Sequence, residues 1–310
     1  MSTGHGGTDT APTPVVEELG HGFHAYVQLD GSWGLNNCGI FVGESGVVLV
    51  DTAFTQRRAH ALAAEVDRLT DKPVQALINT HHHGDHTHGN FVFDQAAVIG
   101  HRRCRDAMIA SGFEVTRWFG GVDFGDIKLV PPFVTFEDSL TVHCDDKAAE
   151  LHSMGPAHTD NDIVVWVEEI GLLFAGDLVF NGGTPFVLMG SVEGSLRALE
   201  RLRGYDIRQL VPGHGPVCGP EAIGDQIDYL TFVRDVAGSS FDARVSPLDA
   251  ARDTDLGRFA AWTDPERLVG NLHRAHSELR GEPLATPLDY HRIVDEMIDY
   301  NGGSPLRCLA

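Results

Sequence analysis

No stretch of the chain approaches the roughly 20 consecutive apolar residues that a bilayer span requires, so no membrane segment is expected. The opening residues, MSTGHGGTDTAPTP, have neither a basic region nor an apolar core. They predict a disordered lead-in over residues 1–14 and no secretory signal. Positive charge is scarce: 23 Lys and Arg stand against 44 Asp and Glu, a formal net charge of −21. Binding to phosphate backbones draws on Lys and Arg, so nucleic acid is a poor partner for such a chain. Cysteine is equally thin. Cys38, Cys104, Cys144, Cys218 and Cys308 are scattered, odd in number and form no C-x-x-C pair, which predicts a reduced, cytoplasmic protein. There is no solenoid repeat, and no glycine-rich phosphate loop follows the first two thirds of the chain.

What is present reads as an α/β body over residues 15–219 and a helical segment over 220–310 that packs on the same domain. HAYVQL and CGIFVG flank the turn-rich DGSWGLNN as a hairpin, and GVVLVD, PVQALINT and AAVIG follow as strands. QRRAHALAAEVDRLT carries its apolar residues at helical spacing. Gly112–Pro132 is rich in glycine and aromatics and reads as a loop or lid. VTFEDSLTVH, AAELHSMG and DIVVWVEE are three further strands. Asp264 before Pro265 predicts a helix N-cap with proline in the first turn.

Five histidines and an aspartate crowd into INTHHHGDHTHGN, and three later segments repeat the theme of a strand running into His or Asp. These are SMGPA-HTD, LLFAG-D and LVPG-HG. Strand-end loops are where a sheet scaffold gathers its chemistry, so four such ends predict one shared site. Alternate residues of an extended loop point the same way, so His81 and His83 can reach one ion, and His158 completes a three-histidine set. Asp85, His86 and His214 form a second set, and the Asp177 carboxylate can bridge the two. Imidazole and carboxylate suit zinc, with manganese or iron as alternatives. A bound metal lowers the pKa of water to about 7, so two metals supply a nucleophile without a catalytic serine or cysteine. The other histidines carry no such pattern. His82 and His88 sit off the motif as outer or solvent-facing residues; His273 and His276 share a helical face without an accompanying carboxylate.

THHHGDH, GPAHTDND, FAGD and PGHG, in this order, resemble the metallo-β-lactamase superfamily of metallohydrolases. The resemblance implies an αββα sandwich with the site at one edge, and implies that Asp51, ending VVLVD, supports the metal loop from behind. Fold alone does not name a substrate. The secreted lactamases of the superfamily need an export signal, and many carry Cys where this chain has Asp177. A glyoxalase-II-like hydrolase of small thioesters or lactones is one reading.

GPAHTDNDIVVW, GGTPFVLMGSVEGSLRALERL, ERLVGNLHRAHSELRG and the closing YNGGSPLRCLA are similar to the actinorhodin-type aromatic polyketide cyclase/thioesterases. That resemblance implies a polyketide held as a thioester on an acyl carrier protein, closure of a second ring by aldol condensation, and hydrolytic release. Asp85 would orient the attacking hydroxide and take up a proton. A flat aromatic substrate calls for an apolar pocket, with Trp33, Phe54, Trp118, Phe119 and Phe186 as candidates. Docking of an acidic carrier would use Arg102, Arg103 and Arg105, or Arg197, Arg201 and Arg203. The helical segment is a candidate homodimer surface.

Overall fold

The computed structural model describes residues 12–310. The expected disorder of residues 1–14 therefore falls mostly outside the described residues; residues 12–14 lead without regular structure into the first strand. Two sheets face each other. The first has seven strands in sequential order: β1 Val15–Gly20, β2 Phe23–Val27, β3 Cys38–Val42, β4 Val47–Val50, β5 Val74–Asn79, β6 Ala97–His101 and β7 Val134–Phe136. Pairing is antiparallel from β1 to β4 and parallel from β4 to β7. The second sheet has the order β12-β11-β10-β9-β8, built from β8 Ser139–Cys144, β9 Lys147–Ser153, β10 Ile163–Val167, β11 Leu172–Phe180 and β12 Gln209–His214.

The strands read as they do because both faces of the central ones are covered. All four residues of β4 and all five of β10 are buried, which suits unbroken Val, Leu, Ile and Trp runs rather than alternation. Phe41 of the first sheet meets Phe174 of the second, with ring centroids 5.2 Å apart, in the core between the sheets. Helix α1, Gln56–Leu69, closes the outer face of the first sheet. Thr55 caps it by accepting from the Arg58 backbone N–H at 3.3 Å, and Ala59, Leu62 and Val66 recur on its buried face. Full burial of one such aliphatic side chain stabilises by about 1.5–3 kcal/mol.

The outer face of the second sheet is covered by α4 Val192–Leu202, α5 Glu221–Ala243, α7 Arg267–Leu279 and α8 Tyr290–Tyr300, which share one apolar cluster with β10 and β11. Two short helices, α2 Gly84–Thr87 and α6 Pro247–Asp253, and α3 Arg102–Ser111 complete the set. The layers are thus α, β, β, α, the architecture implied by the resemblance. No helix among the described residues is long and apolar enough to cross a membrane.

Three local expectations are corrected. VTFEDSLTVH is two strands, not one: β7 edges the first sheet and β8 the second, with the chain crossing between them at Glu137 and Asp138. Both halves have strand-forming residues, so periodicity alone does not show the crossing. Asp264 does not cap α7. It has a left-handed backbone, φ 56°, the helix starts at Arg267, and the Asp264 carboxylate bonds the Arg267 guanidinium at 2.9 Å instead. Within Gly112–Pro132, Glu114–Trp118 form a 3-10 turn rather than open loop.

Candidate metal centre

The site lies at one end of the sandwich, where β4, β5 and β12 stop and the β9–β10 connection turns. Asp177 reaches it from within β11, not after the strand: pairing with β12 is irregular between Gly176 and Phe180, and Gly176 has φ 52°. The break turns the Asp177 carboxylate into the site. Gly213 permits this approach, since a Cβ there would lie 1.9 Å from Asp177 Oδ1.

Two sets of ligand atoms converge. Those of His81, His83, His158 and Asp177 lie within 4.8 Å of one another, as do those of Asp85, His86 and His214. Asp177 joins the sets: Oδ1 is 3.1 Å from His86 Nε2, and Oδ2 is 3.3 Å from His158 Nε2 and 3.4 Å from His214 Nε2. Asp85 Oδ2 is 3.3 Å from His214 Nε2.

The far side of each ring shows which nitrogen faces the centre. His86 Nδ1 donates to Asp51 at 2.8 Å, His214 Nδ1 donates to the Gly31 carbonyl at 3.1 Å, and His158 Nδ1 donates to the Phe186 carbonyl. A carboxylate or carbonyl can only accept, so in each neutral ring the proton sits on Nδ1 and Nε2 is the nitrogen that faces the site. His83 is reversed. Its Nδ1 points inward, 2.8 Å from His158 Nε2, while its Nε2 meets Met189 Sδ at 3.2 Å. Asp51, itself left-handed at φ 61°, also accepts from the Thr80 backbone N–H and hydroxyl at 2.8 and 2.7 Å. It thereby locks the start of the histidine loop.

The electrostatics follow from packing seven ionisable groups out of water. Burial, joined by the charge of His86, drives His81 well below its ordinary pKa; burial beside His158 does the same to His83. Burial outweighs the pull of Asp177 and lowers His158 to about 4. For His86 and His214 burial is overcome by Asp177 and its neighbouring carboxylates, which raise His214 to about 9. Burial opposes ionisation of Asp85 and Asp177, yet the facing histidines hold both below the usual carboxylate range. His81 Nε2 is buried with no hydrogen-bond partner among the described residues, and His86 Nε2 and Asp177 Oδ1 meet each other in a 3.1 Å charge contact. Buried polar atoms are costly when unpaired, so inward-facing orphans of this kind fit metal ions. The donor set of imidazoles and carboxylates suits borderline divalent metals.

The five aromatic candidates divide. Trp33, Phe54, Phe119 and Phe186 are buried and pack ring on ring at 5.0–5.7 Å, forming an apolar wall around a void of about 30 Å³ beside Asp85 and His214. Trp118 lines both this void and a larger cavity of about 480 Å³. Of the five candidates only Trp118 lines the larger cavity; the rest of its wall lies outside the sequence reading. Its walls come from the end of α3, the 3-10 turn with Val115, Met189, and residues 285–291, including Leu288 and Tyr290. Gly84, His83, Val115 and Trp118 border both spaces. His88, expected to be peripheral, is buried against Phe54 with centroids 5.4 Å apart and lines the larger cavity. Arg267, also unforeseen, is 1% exposed, lies 4.0 Å from the Trp33 ring centroid and lines the inner void. The pairing of Asp264 with Arg267 carried that signal, hidden in an apparent helix cap.

Elsewhere, His273 bonds Glu296 and His276 bonds Ser240, so this pair serves packing. Ser191 caps α4 by accepting from the Gly194 backbone N–H. Of the six arginines considered for carrier docking, Arg102 pairs with Glu137 and Arg203 with Glu200, while Arg103, Arg105 and Arg201 donate to backbone carbonyls.

Two facing sheets with a His/Asp centre at their edge, built to hold metal ions, define a metallohydrolase. The description "Metallo-beta-lactamase superfamily" matches residues 31–214, and the chain belongs to that family. It is 26% identical over 232 residues to a hydroxyacylglutathione hydrolase of Rhodospirillum rubrum, covering 71% of this chain and 80% of that protein. It is 30% identical over 162 residues to the protein of the same name from Methylococcus capsulatus, covering 52% of this chain and 54% of that one. The chain thus spans about half the length of the latter. Among solved structures, a metallo-beta-lactamase from Pontibacter korlensis superposes with a TM-score of 0.60 at 18% identity, over 71% of this chain and 99% of that one. This last likeness concerns the fold alone.

Proposed function

We propose that the protein is a dinuclear, zinc-dependent thioesterase whose acyl group is a bulky aromatic polyketide, and that it acts in the cytoplasm. The observation that carries this reading is the cavity of about 480 Å³ contiguous with the metal centre, with Val115, Trp118, Met189 and Leu288 among its walls. No Lys or Arg lines it, whereas Glu114, Asp160 and Asp289 do. A glutathione thioester brings carboxylates, which such a lining repels; a neutral fused-ring acyl group suits it.

His81, His83 and His158 would hold one metal, Asp85, His86 and His214 the other, with Asp177 between. Metal ions held there would supply Lewis acidity toward the scissile carbonyl and an acidified water. Asp85 Oδ2 is placed to orient that water and receive its proton. Asp51 keeps His86 Nε2 directed inward. Trp33, Phe119 and Phe186 exclude bulk water from the reacting carbonyl, and Trp118 borders both the inner void and the acyl cavity. The cavity would hold a flexible polyketone folded, which supplies the proximity that intramolecular ring closure needs.

A second reading, hydrolysis of a small glutathione thioester, is favoured by the names of the two relatives above. Metal analysis combined with steady-state hydrolysis of a naphthoyl thioester and of lactoylglutathione separates the two. About two zinc ions per chain and at least tenfold higher kcat/KM for the naphthoyl compound are expected. The opposite preference would reject the polyketide reading, and full activity after chelation would reject the metal mechanism.

A further inference from the structure

His82 stands between two metal-facing histidines but does not join them. Its ring lines the acyl cavity. Its Nδ1 is 2.9 Å from Asn161 Nδ2, and the same Asn161 nitrogen is 2.7 Å from Asp160 Oδ1. A carboxylate can only accept, so the Asn161 atom facing Asp160 is the amide nitrogen. That nitrogen donates to His82 Nδ1, which must therefore be proton-free. The ring proton of His82 then resides on Nε2, for which no partner exists among the described residues. Asn161 is fully buried, and its loop is braced by the Asp162 carboxylate, which accepts from the Thr159 backbone N–H and hydroxyl. The orientation of His82 is thus imposed from behind, as is that of the metal-facing rings.

We infer that His82 is a specificity-determining residue: its Nε2–H is a pre-oriented donor to an oxygen, a ketone or phenol, carried by the acyl group in the cavity. This rests on the reading of that cavity as the acyl pocket. Among the polar groups that line the cavity, a donor fixed in direction from behind discriminates oxygenated rings from plain hydrocarbon rings of the same shape. It also explains why a histidine outside the ligand pattern is held by a buried amide rather than left to solvent.

The test is direct binding without turnover. The zinc-loaded full chain is titrated calorimetrically with 1-tetralone and with tetralin, which share their fused-ring shape and differ in the ketone. One hydrogen bond predicts roughly five- to tenfold tighter binding of the ketone. His82→Phe should abolish that preference with zinc content unchanged, and His82→Gln, which keeps a donor, should restore part of it. Nitrogen NMR of the His82 ring should show a proton-free Nδ1 and a shift at Nε2 on ketone binding. Equal affinity of the native protein for both ligands, or the same preference in His82→Phe, would overturn the proposal. Should His82→Phe fail to fold, the native titration and the ring spectrum still decide. A protein that prefers tetralone yet hydrolyses only the glutathione thioester would refute the polyketide reading while leaving the His82 donor in place.

Discussion

The histidine loop, residues 80–88, and the cavity wall, residues 285–291, border one cavity and are built on opposite principles. The loop is short in sequence and dense in polar groups. Asp51, Thr80 and Asn79 hold it by direct bonds, including Asn79 Nδ2 to the His86 carbonyl at 3.1 Å. The wall brings Pro287, Leu288 and Tyr290 to the cavity beside Asp289 and His291, and is held at a distance. Arg274, fully buried on α7, donates to the Leu188 carbonyl at 2.7 Å and the Thr286 carbonyl at 2.8 Å, tying the Met189 side to the Leu288 side. The loop has little freedom because chemistry at a metal needs atoms fixed in direction. The wall needs only shape, which many side chains can supply.

The largest effect should come from the loop. Asp85→Asn removes the proton acceptor and a ligand charge, so kcat should fall by roughly 10²–10⁴. Normal turnover in that variant would remove Asp85 from the chemistry. Asp51→Ala leaves the His86 Nδ1 proton unpaired, and zinc affinity measured by competition with a chelator should drop about 10–100-fold. Unchanged affinity would show that the brace is not needed.

Altering the wall should separate substrates rather than abolish turnover. Leu288→Trp narrows the cavity, and kcat/KM for a naphthoyl thioester should fall by about tenfold or more while acetyl thioester hydrolysis stays level. A parallel loss on both substrates would mean that the wall supports folding and not selection. Arg274→Met unties both sides at once and leaves two carbonyls without their donor, so the thermal midpoint should fall, by roughly 2–4 °C per kcal/mol lost. An unchanged midpoint would place the stability of the wall elsewhere.

The smallest effect concerns pH. Burial raises Asp264 to about 6, although Arg267 pulls against it. Its folded pKa therefore exceeds the unfolded value near 3.9. Its contribution is fully present below pH ~4 and is lost as pH rises through about 6. Asp264→Asn should flatten the stability profile between those values in urea melts, and an unaltered slope would show that Asp264 does not titrate there.

Most helices and strands were legible because burial leaves a mark on sequence: α1 and α4 declare themselves by spacing, β4 and β10 by short unbroken apolar runs. The seven His and Asp positions were legible because strand ends and residue type coincide, and the fold brings their side chains together. Even so, Asp177 lies inside β11, since a local break in pairing does the work expected of a strand end. The crossing at Glu137 and Asp138 was not legible, because a strand's residues do not say which sheet receives them. Most of the larger cavity was not legible for a related reason. Val115, Met189 and Leu288 are ordinary apolar residues, far apart in the chain, and only packing gives them a common surface.

The chain's own text determines the donor types: five imidazoles, two carboxylates and an Asp behind them are set by residue type, and four of the seven donors by short spacing. Tertiary structure decides everything that depends on distance between remote segments. It decides which nitrogen of each ring faces inward, which residues border the cavity, and that His82 presents a donor there. The physical reason is that a ligand atom is a property of one residue, whereas direction and enclosed space are properties of many residues packed together.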